Sequence, residues 1–319
     1  MADYKTLHGS NIETVSSDPS NPIKGQVWYN SDSQTLKGRI LSAAAWATSN
    51  AMNTVRDALG GSGADKDGAL AFGGGSSPSN ATANNESYNG SSWTEVGDLN
   101  TAKRDFQGAG VSTTAALAFG GMGNPDPTVN AANESWNGSS WTEVGDLNTG
   151  RRGIGGAGTN TAALGFGGNQ DGPSNALTET WNGSAWTEVG DLNTARSNAA
   201  GAGANNTAAL AANGSTTESW NGTSWTEVND LNTPRSTLAG VGTLTNALYF
   251  GGSDNSAVTE EWNGTSFTET GDLNTGRQQI GGSGIYTSAV AFGGDTGSIT
   301  GATEEFSAAA LSTISFDAS

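Results

Sequence analysis

The chain has no cysteine and a single histidine, His8, and these two scarcities remove more chemistry than any motif present supplies. Without cysteine there is no disulfide, no thiolate nucleophile and no cysteine-ligated metal. One imidazole near the N-terminus, outside any repeated unit, reads as a solvent-exposed side chain, and neither a Ser-His-Asp nor a Cys-His arrangement can be assembled inside the repeats. Positive charge is scarce as well: 13 Lys and Arg stand against 31 Asp and Glu, a net charge of -18. A phosphate backbone or an anionic bilayer would meet net repulsion, so neither nucleic acid nor membrane is an expected partner. No stretch approaches the roughly 20 apolar residues of a membrane span, and the opening residues lack a basic segment followed by an apolar run. The expectation is a soluble chain made without a secretion signal. Abundance lies elsewhere, in 48 Gly, 10 Trp and many Asn, Ser and Thr.

Internal repetition organises these residues. The segment NTxR or NTxK begins at Asn53, Asn100, Asn148, Asn193, Asn232 and Asn274, ending in Arg56, Lys103, Arg151, Arg196, Arg235 and Arg277. Each start is followed by a stretch of small residues such as GIGGAG, then by an alternating apolar run closing on two glycines, as in ALAFGG. Only the fourth copy, ALAANG ending at Gly214, breaks that pattern. An acid-containing strand with an aromatic follows, then Asn-Gly, then a second aromatic with TEV or TET behind it. Asn-Gly between alternating runs predicts a tight hairpin of type I′, in which both central residues need positive φ. Every unit thus holds four short strands, and no segment carries a helical stripe. Successive starts lie 47, 48, 45, 39 and 42 residues apart. Nearly all of that variation sits between the diglycine and the third-strand Glu, so one loop is free and the rest is framework.

The Arg-led inner strand, the diglycine and the paired aromatics resemble the kelch repeat family, over roughly residues 41–306. The resemblance implies an all-β fold, a six-bladed kelch-type β-propeller with four-stranded blades. Two candidates compete to close the ring, because the last unit stops after its third strand at Phe306. The preferred one is the N-terminal strand around Trp46; the other is the strand containing Leu311, and the loser would be peripheral or pair with a neighbouring subunit. The organisation expected is a β-hairpin segment in residues 1–40, a propeller over 41–306 and a tail strand in 307–319. Glycines are expected to crowd the axis and tryptophans to pack between blades, rather than to form a sugar-stacking platform. The NTxR cations and the GDLNT aspartates are expected to satisfy each other or loop backbone.

No catalytic, cofactor or metal residues emerge. The copper oxidases that share the kelch fold need Tyr, His and Cys ligands that this sequence lacks, and the arginines stand one per unit rather than clustered as in sialidases. The recurrent NGS and NGT triplets formally match a glycosylation acceptor, but their fixed place reads as turn chemistry. The long variable loops of the first three units form the candidate contact surface, represented by Ser76, Pro78, Asn124, Asp126, Gln170 and Asp171. Ahead of the repeats, GQVWYNSDSQTLKG predicts a hairpin of Gln26 to Asn30 with Thr35 to Arg39. That run resembles short N-terminal elements of bacteriophage structural and tail proteins, which also carry kelch-like repeats. It implies a docking segment at Val27, Trp28 and Tyr29, and a virion protein that is made in the host cytoplasm and forms a homo-oligomer in the particle. Its partners would be other virion proteins, with a host surface receptor or glycan as a second class. A carbohydrate-binding adhesin and a glycan-processing hydrolase are the rival readings.

Overall fold

The computed structural model describes residues 6–7, 10–77, 80–123 and 128–316. It divides into two compact units, one of residues 1–44 with 308–319 and one of residues 45–307.

The larger unit holds six four-stranded antiparallel sheets. The first runs outward through Gly60–Asp65, Gly68–Phe72, Asn85–Tyr88 and Trp93–Glu95, and each later repeat builds its sheet in the same order. Inner strands touch in cyclic sequence, the sixth (Gly281–Ile285) meeting the first, so the ring is closed. Its closing strand is Ala45–Ser49, which pairs with Thr303–Ser307 in the register Phe306 to Trp46. Leu311–Phe316 belongs to the other unit. Helix is confined, among the described residues, to the 3-10 turn Ser253–Asn255.

Phenylalanines at the end of the second strands join one blade to the next. Each reaches across to a glycine of the following inner strand: a Cβ on Gly108 would lie 2.8 Å from the Phe72 ring, and one on Gly156 2.8 Å from Phe119. Contact between neighbouring blades, more than crowding at the axis, is therefore what excludes side chains there. A Cβ on Gly201 would also overlap the carbonyl of Gly156. The outer-strand tryptophan of the following blade covers the same phenylalanine, with ring centroids 4.8 to 5.3 Å apart in five interfaces, such as Trp141 on Phe72 and Trp46 on Phe250. Such pairs add to the area term that dominates burial of these large rings.

Buried indole N–H groups need acceptors, and third-strand threonines provide them for three of the five outer tryptophans, while the Trp141 and Trp186 N–H groups have no partner. Trp46, Trp93 and Trp225 donate to Thr259, Thr303 and Thr178 Oγ1 of the preceding blade, each at 3.0 Å. Between the fourth and fifth blades the outer aromatic is Phe267, which has no donor, and the corresponding Thr217 hydroxyl is buried without a partner. Thr217→Val should therefore raise stability by about 1 kcal/mol, whereas Thr303→Val should lower it by about as much. Urea melts of the two variants check this, and a loss at both positions would refute the assignment.

The Asn-Gly hairpins differ from the type I′ expectation. Their loops have four residues, as the pairs Tyr88 to Trp93 and Trp136 to Trp141 show. Only the glycines are at positive φ, between 85° and 94° at Gly90, Gly138, Gly183, Gly222 and Gly264. The asparagines remain at negative φ because their side chains close the turn: Asn137 Oδ1 accepts from the Ser139 and Ser140 amides, both at 3.0 Å, and from the Ser139 hydroxyl at 2.9 Å. An Asx turn has replaced the backbone solution.

The smaller unit is a four-stranded sheet ordered Glu13–Val15, Val27–Asn30, Thr35–Leu41 and Leu311–Phe316. The expected hairpin is present. The C-terminal tail strand, expected to be peripheral or to pair with a neighbouring subunit, pairs along Thr35–Leu41 of its own chain, from Leu311 opposite Leu41 to Phe316 opposite Leu36. Both chain ends thus contribute to one sheet. Residues 1–44 and 308–319 carry four basic and five acidic residues, so 17 of the 18 net negative charges lie in residues 45–307.

Candidate functional site

Six buried ion pairs anchor the propeller, and they account for the repeated cations. Arg56 lies 2.9 Å from Glu86, Lys103 3.2 Å from Glu134, Arg151 2.7 Å from Glu179 and Arg277 3.0 Å from Glu304; Arg196 pairs with Glu218 and Arg235 with Glu260. Each glutamate also receives the chain arriving from the previous blade. Glu86 accepts from the Asn53 amide at 2.7 Å, the Asn53 carboxamide at 2.9 Å and the Thr54 amide at 3.2 Å. The ring closure is built alike, since Asn274 donates both to Glu304 and to the Trp46 carbonyl at 3.1 Å. The GDLNT aspartates accept backbone amides at the start of the third strand, as Asp98 does from Asn85 at 3.1 Å. These twelve cations and glutamates face one another, which leaves Lys66, Arg104 and Arg152 as the propeller's cations outside the pairs.

One face of the ring carries the variable loops. In four blades the residue after the NTxR cation bridges to the start of the loop between strands two and three, as Asp57 does to Gly75 and Arg152 to Asn169. Link and variable loop therefore share that face. At its centre, Ala58, Asp105, Gly153, Asn198, Thr237 and Gln279 all lie in the left-handed region, at φ 47° to 58°. Each donates its amide to the carbonyl of the preceding one at 2.6 to 3.4 Å, and Ala58 donates to Gln279, so six hydrogen bonds close a circle. A non-glycine residue in that conformation costs about 1 kcal/mol, which the closed hydrogen-bond ring offsets. Beneath it Leu59, Phe106, Ile154, Ala199, Leu238 and Ile280 form a buried apolar layer. Below that layer lies a central cavity of about 140 Å³, lined by glycine backbone with Gln107, Ser62 and Ser283 as its polar side chains and no ionisable group.

Ser76 is half-buried on the variable-loop face, and Gln170 and Asp171 are exposed there. Pro78, Asn124 and Asp126 lie outside the described residues. Arg152 joins this region to the channel mouth: its guanidinium is 3.1 Å from Asn169 Oδ1 and 3.4 Å from Asp171. Asp57 is buried, with Oδ1 against Gly75 and without a hydrogen-bond partner. Burial, with the nearby charges of Asp105 and Asp295 outweighing that of Arg104, pushes its carboxyl up to about 6; burial raises Asp105 too. A folded-state value above the unfolded one means that the native chain holds a proton which the unfolded chain releases, so stability falls as pH rises from about 4 through 6. Asp57→Asn should consequently stabilise the propeller more at pH 8 than at pH 5, as thermal melts at the two pH values would show. Sequence reasoning passed over Asp57, Arg104, Asp105 and Arg152. Their signal was variability: the position after the framework cation reads Asp57, Arg104, Arg152, Ser197, Ser236 and Gln278 while its surroundings repeat.

In the smaller unit the proposed docking residues part company, because neighbours in a strand face opposite ways. Trp28 is fully buried and donates to Asp18 Oδ1 at 3.1 Å, so it is not a contact residue. Asp18 also accepts from Asn30 and Lys37, each at 2.7 Å, and Lys37, Asn30 and Trp28 together hold its carboxyl down at about 2. Val27 and Tyr29 lie on the other face. The register places them beside Leu36, Ile40, Ile314 and Phe316, all exposed or half-buried.

Repeat, blade order and the buried Arg-Glu links define a kelch-type β-propeller. The solved structure of YjhT is similar to this chain, with a TM-score of 0.68 at 14% identity, covering 83% of this chain and 99% of that one. No family model matches the chain, and no curated protein matches it.

Proposed function

We propose that this protein is a non-enzymatic structural component of a bacteriophage particle, a tail-apparatus part or surface decoration. The smaller unit would attach it, and the propeller would be displayed for protein contact or host adhesion. The observation carrying this reading is the division of surface character. A nearly neutral sheet offers an apolar face, exposed or half-buried, at Val27, Tyr29, Leu36, Ile40, Ile314 and Phe316, while the propeller holds 17 net negative charges. Contiguous apolar surface of this kind marks contact sites, and like-charged displayed domains resist non-specific association. The resemblance of GQVWYNSDSQTLKG to phage structural proteins points the same way. A central cavity without ionisable lining, and framework glutamates already occupied by link amides, favour display over catalysis.

Mass spectrometry and imaging of purified particles test the assignment. The chain should be present at stoichiometric level, and a Tyr29→Glu, Ile314→Glu variant should fold its propeller yet fail to incorporate. Absence of the chain from particles would overturn the virion reading. Selective binding on a glycan array would shift the displayed face to carbohydrate recognition, and turnover in a hydrolase screen would end the non-enzymatic claim.

A further inference from the structure

Asn-Gly occurs six times, at Asn213 and in five exposed hairpin loops; it is the dipeptide most prone to spontaneous deamidation because glycine leaves its own nitrogen unshielded. In that reaction the Gly nitrogen, on losing its proton to base, attacks the Asn Cγ. The Cγ–Nδ2 bond breaks, Nδ2 departs as ammonia, and a succinimide forms. Water then opens either succinimide carbonyl, leaving Asp or isoaspartate. Isoaspartate would add a carbon to the backbone of a four-residue loop that sets the register of Trp136 opposite Trp141 and its counterparts.

We propose that the Ser or Thr two residues beyond each of the five hairpin asparagines is a lock against that modification. The geometry repeats at every loop. Asn89 Oδ1 accepts from the Ser91 amide and hydroxyl, each at 3.0 Å, and from the Ser92 amide at 2.9 Å. Asn137, Asn182, Asn221 and Asn263 accept the same three hydrogen bonds, with hydroxyl donors Ser139, Ser184, Thr223 and Thr265 at 2.8 to 2.9 Å. Swinging Cγ over the glycine nitrogen means rotating the carboxamide, and that rotation breaks all three at once. In these five hairpins the triplet that reads as a glycosylation acceptor is thereby explained: the hydroxyl residue stands two places on because that is where it reaches Oδ1, whereas the Asn213 carboxamide, outside the hairpins, donates to the Ser197 and Asn198 carbonyls. Loops so built keep their backbone through long exposure to solvent, which any display role needs but which does not depend on that role.

Peptide mapping by mass spectrometry tests this on the full-length chain held in mildly alkaline buffer, native and urea-unfolded in parallel. Native loops should deamidate at least about tenfold more slowly than the same loops unfolded, since a barrier raised by the loss of hydrogen bonds slows the reaction exponentially. Ser139→Ala should accelerate loss at Asn137 alone, with the other four asparagines as internal controls, and Ser139→Thr should restore the native rate. Equal rates in native and unfolded chains would overturn the proposal. So would an Asn137 in Ser139→Ala that keeps pace with its four counterparts, or an acceleration shared by all five.

Discussion

Glu86→Ala is expected to destabilise the propeller by about 3–5 kcal/mol, because it leaves the fully buried Arg56 guanidinium without its carboxylate. Three further donors, the Asn53 amide and carboxamide and the Thr54 amide, lose their acceptor in the same step. For a unit of this size the midpoint of thermal unfolding should fall on the order of 10 °C. Arg56 retains hydrogen bonds to the Gly73 and Asn84 carbonyls at 3.0 and 2.7 Å, but neutral carbonyls do not balance a buried charge. The double variant Arg56→Met, Glu86→Gln separates the two duties of the glutamate. Its Gln carbonyl can still hold the link amides while the unpaired charge is gone, so most of the lost stability should return. Denaturant melts of the single and double variants measure this, and a double variant as unstable as Glu86→Ala would refute it.

Comparable in size is the effect expected at the junction of the fourth and fifth blades, where the repeat departs from itself. Elsewhere a phenylalanine at the end of the second strand covers the next inner-strand glycine; here that residue is Ala212. Tyr249 of the fifth blade takes the vacant place, so that a Cβ on Gly240 would lie 2.7 Å from its ring. It stands where other blades have Ala71, Ala118, Gly165, Ala211 and Ala291, and it packs with Ala212 and Phe267 in one cluster. The hydroxyl is buried without a partner, and burial drives its pKa strongly upward. Tyr249→Ala should cost about 3–5 kcal/mol by opening a cavity, and Ala212→Phe alone about 1–3 kcal/mol by overpacking. Together they restore the arrangement of the other interfaces, so the double variant should lie closer to the parent than Tyr249→Ala does. A double-mutant cycle showing simple additivity would refute the compensation.

Much of this architecture could be read along the chain. The six NTxR segments, the diglycines and the paired aromatics specified four short strands per unit, and the phase of Trp46 against Asn53 pointed to the strand that completes the sixth blade. The broken copy at Gly214 was visible too, but its remedy was not. Tyr249 and Ala212 are 37 positions apart in different repeats, and only packing makes them neighbours. The docking segment shows the same boundary. Val27, Trp28 and Tyr29 look alike as an apolar run, yet one indole lies buried on Asp18 while its neighbours face away from it. The Asn-Gly loops were legible as turns but not as Asx turns, since the competition between backbone and side chain for the same amides depends on loop length.

What the sequence determined alone is therefore whatever recurs: strand count and framework cations. Repetition is a local property that needs no knowledge of distant residues. Tertiary structure alone decided which glutamate each cation meets, how six amides and carbonyls close a ring at the mouth of the channel, and where Leu311–Phe316 pairs. Those outcomes depend on which surfaces of remote segments come into contact, and contact is settled by packing in three dimensions rather than by order along the chain.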